Sequence, residues 1–169
     1  EHLALVRARP VYGSEAGRAA TQEVIAKTLL RDRDWAAFLS DAVTMRGEIA
    51  KAKPPKGALD VKLIEGGLVD LEFAVQVRQF RYPEAFDPRL ANSIKALIAG
   101  GHAPETLAGD HALLTRFLVT LRLVAPDLED PAPASKALIA RACCMESWEQ
   151  LLEEDAATRQ RVRDFWRET

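Results

Sequence analysis

The sequence predicts an all-α fold: a helical bundle of about seven or eight helices, with a short extended segment near residues 59–64. Three observations carry this. Apolar residues recur at three- and four-residue spacing in segment after segment. Capping residues precede these segments, and Gly or Pro closes several of them. The run Leu68 to Arg81 is apolar on two sides, with Val69, Phe73, Val77 and Phe80 on one and Leu68, Leu71 and Val75 on the other. A helix apolar on two sides is packed from two sides, so this run is predicted to sit at the centre. Between its apolar sides runs a narrow polar strip of Glu72, Gln76 and Gln79. Such groups, flanked by apolar residues, need partners within the fold or across an interface.

Taken in order, residues 2–9 read as the tail of a helix stopped by Pro10, and Tyr12-Gly13 as a turn. Ser14 is the expected N-cap of a helix reaching about Arg31, with Val24, Ile25, Thr28 and Leu29 inward. Asp34 is expected to cap the next, on the stripe Trp35, Phe38, Leu39, Ala42, Met45 and Ile49; Lys53-Pro54-Pro55-Lys56-Gly57 ends it. Leu59–Ile64 is read as extended and leads into the central helix, which Tyr82-Pro83 terminates. Asp87-Pro88 has the order of N-cap and N1, before the stripe Leu90, Ile94, Leu97 and Ile98 and a Gly100-Gly101 C-cap. Asp110 is expected to cap a helix striped by Leu114, Phe117, Leu118 and Leu121. Pro126–Pro133 reads as an acidic surface loop, followed by a helix over about 135–145. Ser147-Trp-Glu-Gln150 has capping-box spacing and opens a last helix or pair of helices ending at Trp166, broken or bent at Glu153-Glu154-Asp155.

At 169 residues, with 48% apolar and 28% charged residues, the composition is that of one globular domain. A net charge of −2 gives no basic field for nucleic acid, so neither a nucleic-acid nor a membrane partner is expected. No apolar run approaches the roughly 18 residues of a membrane span, and no signal peptide is visible. Cys143-Cys144 read as small residues of a reduced, cytoplasmic protein. The chain begins at Glu1 inside a helical pattern, from which a preceding segment of a longer parent is expected.

His2, His102 and His111 have no second ligand at metal-site spacing, and no nucleophile elbow, Walker loop or zinc-protease motif occurs. Catalytic and metal residues are therefore expected to be absent. Gly66-Gly67 before the central helix, with Lys62 nearby, would present amide N–H groups to an anion. Alternatively, Gly67 serves the turn and Asp70 caps the helix with the same donors, and this structural reading is the one favoured. Glu72 and Gln76 belong either to an internal network, with Arg7, Arg9 or Arg46 as the cation, or to an interface. The run Arg159, Arg161, Arg163, Arg167 alternates with acids and reads as a solvated face.

The pattern Lys62-x-x-x-Gly66-Gly67-Leu68-x-Asp70-x-Glu72-Phe73-x-x-Gln76 resembles the glutamine synthetase adenylyltransferase family. So do the opening His2–Gly13 and the segment from Met45-Arg46 to Lys53-Pro54. The family's enzymes carry two nucleotidyltransferase domains, each followed by a helical domain. One half attaches AMP to a tyrosine of glutamine synthetase and the other removes it by phosphorolysis, under control of PII proteins and glutamine. The resemblance implies that residues 1–13 are the tail leaving a nucleotidyltransferase domain and 14–169 one helical domain. The form of Asp70, Glu72 and Phe73 and an end near Trp166 point to the second, adenylylating half.

The Gly-Ser plus Asp-x-Asp signature that binds metal and nucleotide in such enzymes is read as absent and expected before Glu1. Mg²⁺ and ATP then belong to the parent, and this chain alone is expected to be inactive. Leu71 and Ile64-Glu65 depart from the family's usual residues, and the glutamate weakens a phosphate-binding role for the loop. By the resemblance, Arg7, Arg9, Lys62, Gly66, Gly67, Asp70, Glu72 and Gln76 would lie at the interface with the catalytic domain or near its nucleotide. Expected partners are that domain, glutamine synthetase and PII. Alternatives are a stand-alone interaction domain, the helical domain of a PII uridylyltransferase, and a bundle with its own pocket for a small molecule such as glutamine.

Overall fold

The structure, a computed structural model, describes residues 2–169; the His2 side chain lies outside the description, and with it any test of that residue's expected role. Among the described residues the chain forms α1 (His2–Leu5), α2 (Glu15–Leu29), α3 (Trp35–Ala52), α4 (Leu68–Arg81), a 3-10 turn (Pro83–Ala85), α5 (Leu90–Ala99), α6 (Leu107–Val124), α7 (Pro133–Ala142) and α8 (Trp148–Arg167), with no strand. The all-α class is as expected. No described helix is long and apolar enough to cross a membrane.

The central helix lies where its two apolar sides require. Twelve of the fourteen residues of α4 are buried. Leu68, Leu71, Ala74 and Val75 enter a core with Ile94, Leu97, Leu114, Phe117, Leu121, Ile139, Leu151 and Val162. Val69, Phe73, Val77 and Phe80 enter a second core with Leu3, Val6, Ile25, Leu29 and Ala42. One helix thus separates two cores, with α1–α3 on one side and α5–α8 on the other. Burying apolar surface on both sides supplies most of the driving force that fixes α4.

Most caps follow the sequence. Ser14 Oγ accepts from Gly17 N at 3.1 Å and Asp34 Oδ1 from Ala37 N at 3.2 Å. At α8, Ser147 Oγ accepts from Gln150 N at 3.1 Å while Gln150 Oε1 accepts from Glu146 N at 2.7 Å. Gly101, at φ +72°, closes α5 as only glycine does cheaply.

Several expectations are corrected. Residues 59–64 are not extended but wound into consecutive turns. The cause is Asp60, which is buried: its carboxylate accepts from Lys56 N and Leu63 N, and its carbonyl from Leu63 N and Ile64 N. Helix α2 stops at Leu29, and only Ile25 and Leu29 are buried, with Val24 exposed. Helix α5 begins at Leu90, later than Asp87-Pro88 implied. Asp87 still anchors that start through Arg89 N at 2.7 Å and Asn92 Nδ2 at 3.1 Å. Helix α7 runs from Pro133 and ends at Ala142, before Cys143.

Helix α6 begins at Leu107, so Asp110 sits inside its first turn instead of capping it. Asp110 is buried and accepts from Arg161 Nε at 3.0 Å and Nη2 at 2.7 Å. Helix α8 is continuous through Glu153-Glu154-Asp155: Glu153 is exposed, and the other two acids have cations one turn or two on, Asp155 with Arg159 at 2.8 Å and Glu154 with Arg161 at 2.7 Å. The expected solvated arginine face is therefore half structural. Arg159 and Arg161 are committed to buried carboxylates, while Arg167 remains largely exposed.

Candidate functional site

The polar groups around the start of α4 are brought together by the turn before it. Gly66 takes φ +78°, and a Cβ there would stand 2.2 Å from the Arg159 carbonyl oxygen of α8. A Cβ on Gly67 would stand 2.5 Å from the Val61 carbonyl oxygen. Both glycines are thus required by close backbone approach. The amide donors are spent inside the fold. Gly66 N donates to Asp70 Oδ2 at 2.5 Å, Gly67 N to Ile64 O at 2.8 Å, Leu68 N to Val61 O at 3.0 Å and Val69 N to Lys62 O at 3.1 Å. Four donors that a phosphate would need are occupied, which favours the structural reading of this loop.

Asp70 completes the arrangement. Its Oδ1 accepts from Arg46 Nε, and both side chains are about nine-tenths buried or more. Arg46, an expected cation for Glu72 or Gln76, takes Asp70 instead, two residues before Glu72. Arg7 takes the Glu72 role instead, its Nη1 3.9 Å from Oε2, in a half-exposed pair. Gln76 is buried further along α4, and Arg9 is exposed.

Arg7, Lys62 and Glu72 line one cleft of about 480 Å³ between α1, α3 and α4. Val69, Phe73 and Ile49 form its apolar lining, and Lys53, which the sequence reading did not single out, adds a third cation. Three cations against one carboxylate make an opening suited to an acidic surface. No Ser, Cys, His or Tyr is among its lining residues, and Glu72 is its one carboxylate. Gly66, Gly67 and Asp70 are not among its lining residues: Gly66 meets α8, Gly67 the carbonyls of Val61 and Ile64, and Asp70 the Arg46 side chain of α3.

Other functional-looking residues are absorbed by the fold. Gln79 Nε2 donates to Ala85 O at 2.9 Å and Ser93 Oγ at 2.7 Å, tying α4 to the following turn and α5. Buried Arg78 donates to His102 O and lies over the Phe165 ring at 3.9 Å. His102 stacks on Tyr82 at 3.5 Å. Burial lowers the pKa of His111 and pushes the Cys143 thiol up to about 11, so that thiol is no nucleophile near neutral pH. The Asp110–Arg161 and Asp155–Arg159 pairs carried no sequence signal beyond an i, i+4 acid and base on α8.

The fit of a metal–nucleotide group can be tested directly. The letters Gly13-Ser14 and Asp32-x-Asp34 do occur, contrary to their reading as absent, but Ser14 and Asp34 serve as the N-caps of α2 and α3. Among the described residues no three His, Cys, Asp or Glu side chains are placed to hold a metal ion. With the α4 donors also spent, the residues present do not fit Mg²⁺–ATP, and no chemical step is assigned to them.

Comparison with known proteins then places the chain. The family model described as GlnD PII-uridylyltransferase matches residues 43–169. The chain belongs to that family. Proteins similar to it include several named bifunctional glutamine synthetase adenylyltransferase/adenylyl-removing enzyme, in line with the resemblance at Lys62–Gln76. The one from Rhizobium meliloti is 37% identical over 153 residues, covering 85% of this chain and 15% of the relative. That of Caulobacter vibrioides is 36% identical over 156 residues, covering 84% and 16%. That of Stenotrophomonas maltophilia K279a is 38% identical over 125 residues, covering 68% and 13%. The chain spans about a sixth of the length of these relatives.

Proposed function

We propose that this chain is the helical domain following the adenylylating nucleotidyltransferase domain of a bifunctional glutamine synthetase adenylyltransferase. It is inactive alone and supports AMP transfer from Mg²⁺–ATP to a glutamine synthetase tyrosine. One observation carries the reading: 85% of this chain aligns with 15% of one such enzyme, while Gly66, Gly67 and Asp70 of its motif are spent on internal bonds. The basic cleft of Arg7, Lys53 and Lys62 beside Glu72 is the face that meets the catalytic domain. The parent acts in the cytoplasm, with glutamine synthetase as substrate and PII as regulator.

A second reading is favoured by the description of the matching family model: a helical domain serving uridylyl transfer to PII. One assay separates them. The chain alone and the chain extended N-terminally by a nucleotidyltransferase domain are each given ATP with glutamine synthetase, and UTP with PII. The expected result is silence from the chain alone and AMP transfer from the extension. Uridylyl transfer by the extension would replace the first reading with the second, and AMP transfer by the chain alone would refute its inactivity.

A further inference from the structure

We infer that the cleft where the C-terminal ends of α4 and α8 meet the α5–α6 loop is a binding site for a small organic carboxylate. The inference does not rest on the proposed enzyme. The cleft holds about 300 Å³, and Trp35, Arg78, Arg81, Tyr82, His102 and Glu168 line it. It shares no residue with the cleft beside Glu72.

Its recognition group is Arg78, 8% exposed in the last turn of α4. The contacts that hold this side chain in the fold use only part of its guanidinium. Nε donates to His102 O at 3.2 Å, Nη1 donates to Thr169 Oγ1, and Cζ lies over the Phe165 ring at 3.9 Å. Among the described residues Nη2 has no acceptor, yet the protein does not seal it off, and Arg78 lines this cleft and an adjoining one of about 520 Å³. Two N–H groups of a buried cation are thus open to a ligand.

The charge is open as well. Among the described residues no carboxylate, side-chain or terminal, forms an ion pair with Arg78 or with Arg81. Arg46, Arg159 and Arg161 each have such a partner. A buried charge without a counter-ion is costly. Burial lowers the Arg78 pKa, a pull that Glu168 opposes from beyond ion-pair distance.

The rest of the cleft selects the ligand. Arg81 follows Arg78 at i+3 and adds a second guanidinium, which lies over the Trp35 ring at 5.5 Å. Guanidinium N–H groups meet a carboxylate in planar, paired hydrogen bonds. Glu168 tempers the positive field, which favours a singly charged carboxylate over a phosphate dianion. Trp35 and the stacked Tyr82 and His102 rings offer aromatic surface to an organic body.

The probe is benzoate, with benzamide as its uncharged match and inorganic phosphate as the rival anion, at pH 7 and constant ionic strength. Binding to the intact chain is followed by the NMR signals of the Trp35 indole N–H and the Arg78 Nε–H. The expected result is a saturable shift of both with benzoate, with benzamide about tenfold or more weaker and phosphate weaker than benzoate. Arg78→Gln should abolish the benzoate shift at Trp35. Arg81 and Glu168 are exposed, so changes there keep the fold and decide the matter if Arg78→Gln does not fold. Arg81→Gln should weaken benzoate about two- to fivefold, and Glu168→Gln should tighten it about as much. No saturable shift, equal binding of benzoate and benzamide, or tighter binding of phosphate overturns the site. So does wild-type benzoate binding by Arg78→Gln or by both surface variants, which leaves water as the partner of Nη2.

Discussion

Asp70→Ala is expected to cost about 3–5 kcal/mol of folding stability. The substitution leaves the Arg46 guanidinium buried without its carboxylate and strips Gly66 N of its acceptor. Breaking a buried pair from one side is costly because the remaining charge stays desolvated. Replacing both partners, Asp70→Ala with Arg46→Met, removes that charge and is expected to cost less than the sum of the two single changes. Urea unfolding of the four proteins measures the coupling. A loss under about 1 kcal/mol for Asp70→Ala, the range of exposed pairs, would show that the pair is hydrated and not part of the core.

Gly66→Ala is expected to cost about 2–5 kcal/mol, from about 1–2 for the left-handed backbone and 1–3 for overpacking. The overpacking is severe because the new methyl meets backbone, the Arg159 carbonyl oxygen in mid-α8, which cannot rotate away. Gly47→Ala and Gly109→Ala make the contrast. Both lie inside helices with nothing within 4 Å of a Cβ, and each should stabilise by about 0.5–1 kcal/mol. Thermal unfolding of the three variants checks the sign of each. A neutral Gly66→Ala would mean that the turn stands off α8 and that its glycines serve something other than packing.

The division of α4 between two cores was legible because hydrophobic periodicity reports burial directly, and its bounds, Leu68–Arg81, matched the pattern. Caps at Ser14, Asp34 and Ser147 were legible because the donors they serve lie three residues away. The errors share the opposite cause. Asp60, Asp110 and Asp155 read as ordinary polar positions in the sequence, yet each is buried, and the burial of an acid depends on tertiary packing even where its partner is local. Asp60 folds a segment that reads as extended. Asp110 finds Arg161 fifty-one residues away. Arg46 is among the expected cations for α4, but which acid of α4 it meets depends on the α3–α4 crossing. Of the candidate site, Arg7, Lys62 and Glu72 do share one cleft. Lys53 reads as part of a proline-rich break and of the family-like segment, not as a cation of the site, because nothing local places it beside Lys62.

The central claim is that the basic cleft is a face for the catalytic domain and the α4 motif an internal lock. It is tested most directly by AMP transfer to glutamine synthetase in the longer polypeptide carrying Lys53→Glu and Lys62→Glu. Both lysines are exposed, so the isolated helical domain should keep its unfolding midpoint, with changes within about 0.5 kcal/mol. Transfer by the longer polypeptide should fall about tenfold or more, as expected when charge is reversed across an interface. Wild-type transfer with both charges reversed would contradict the assignment of this face.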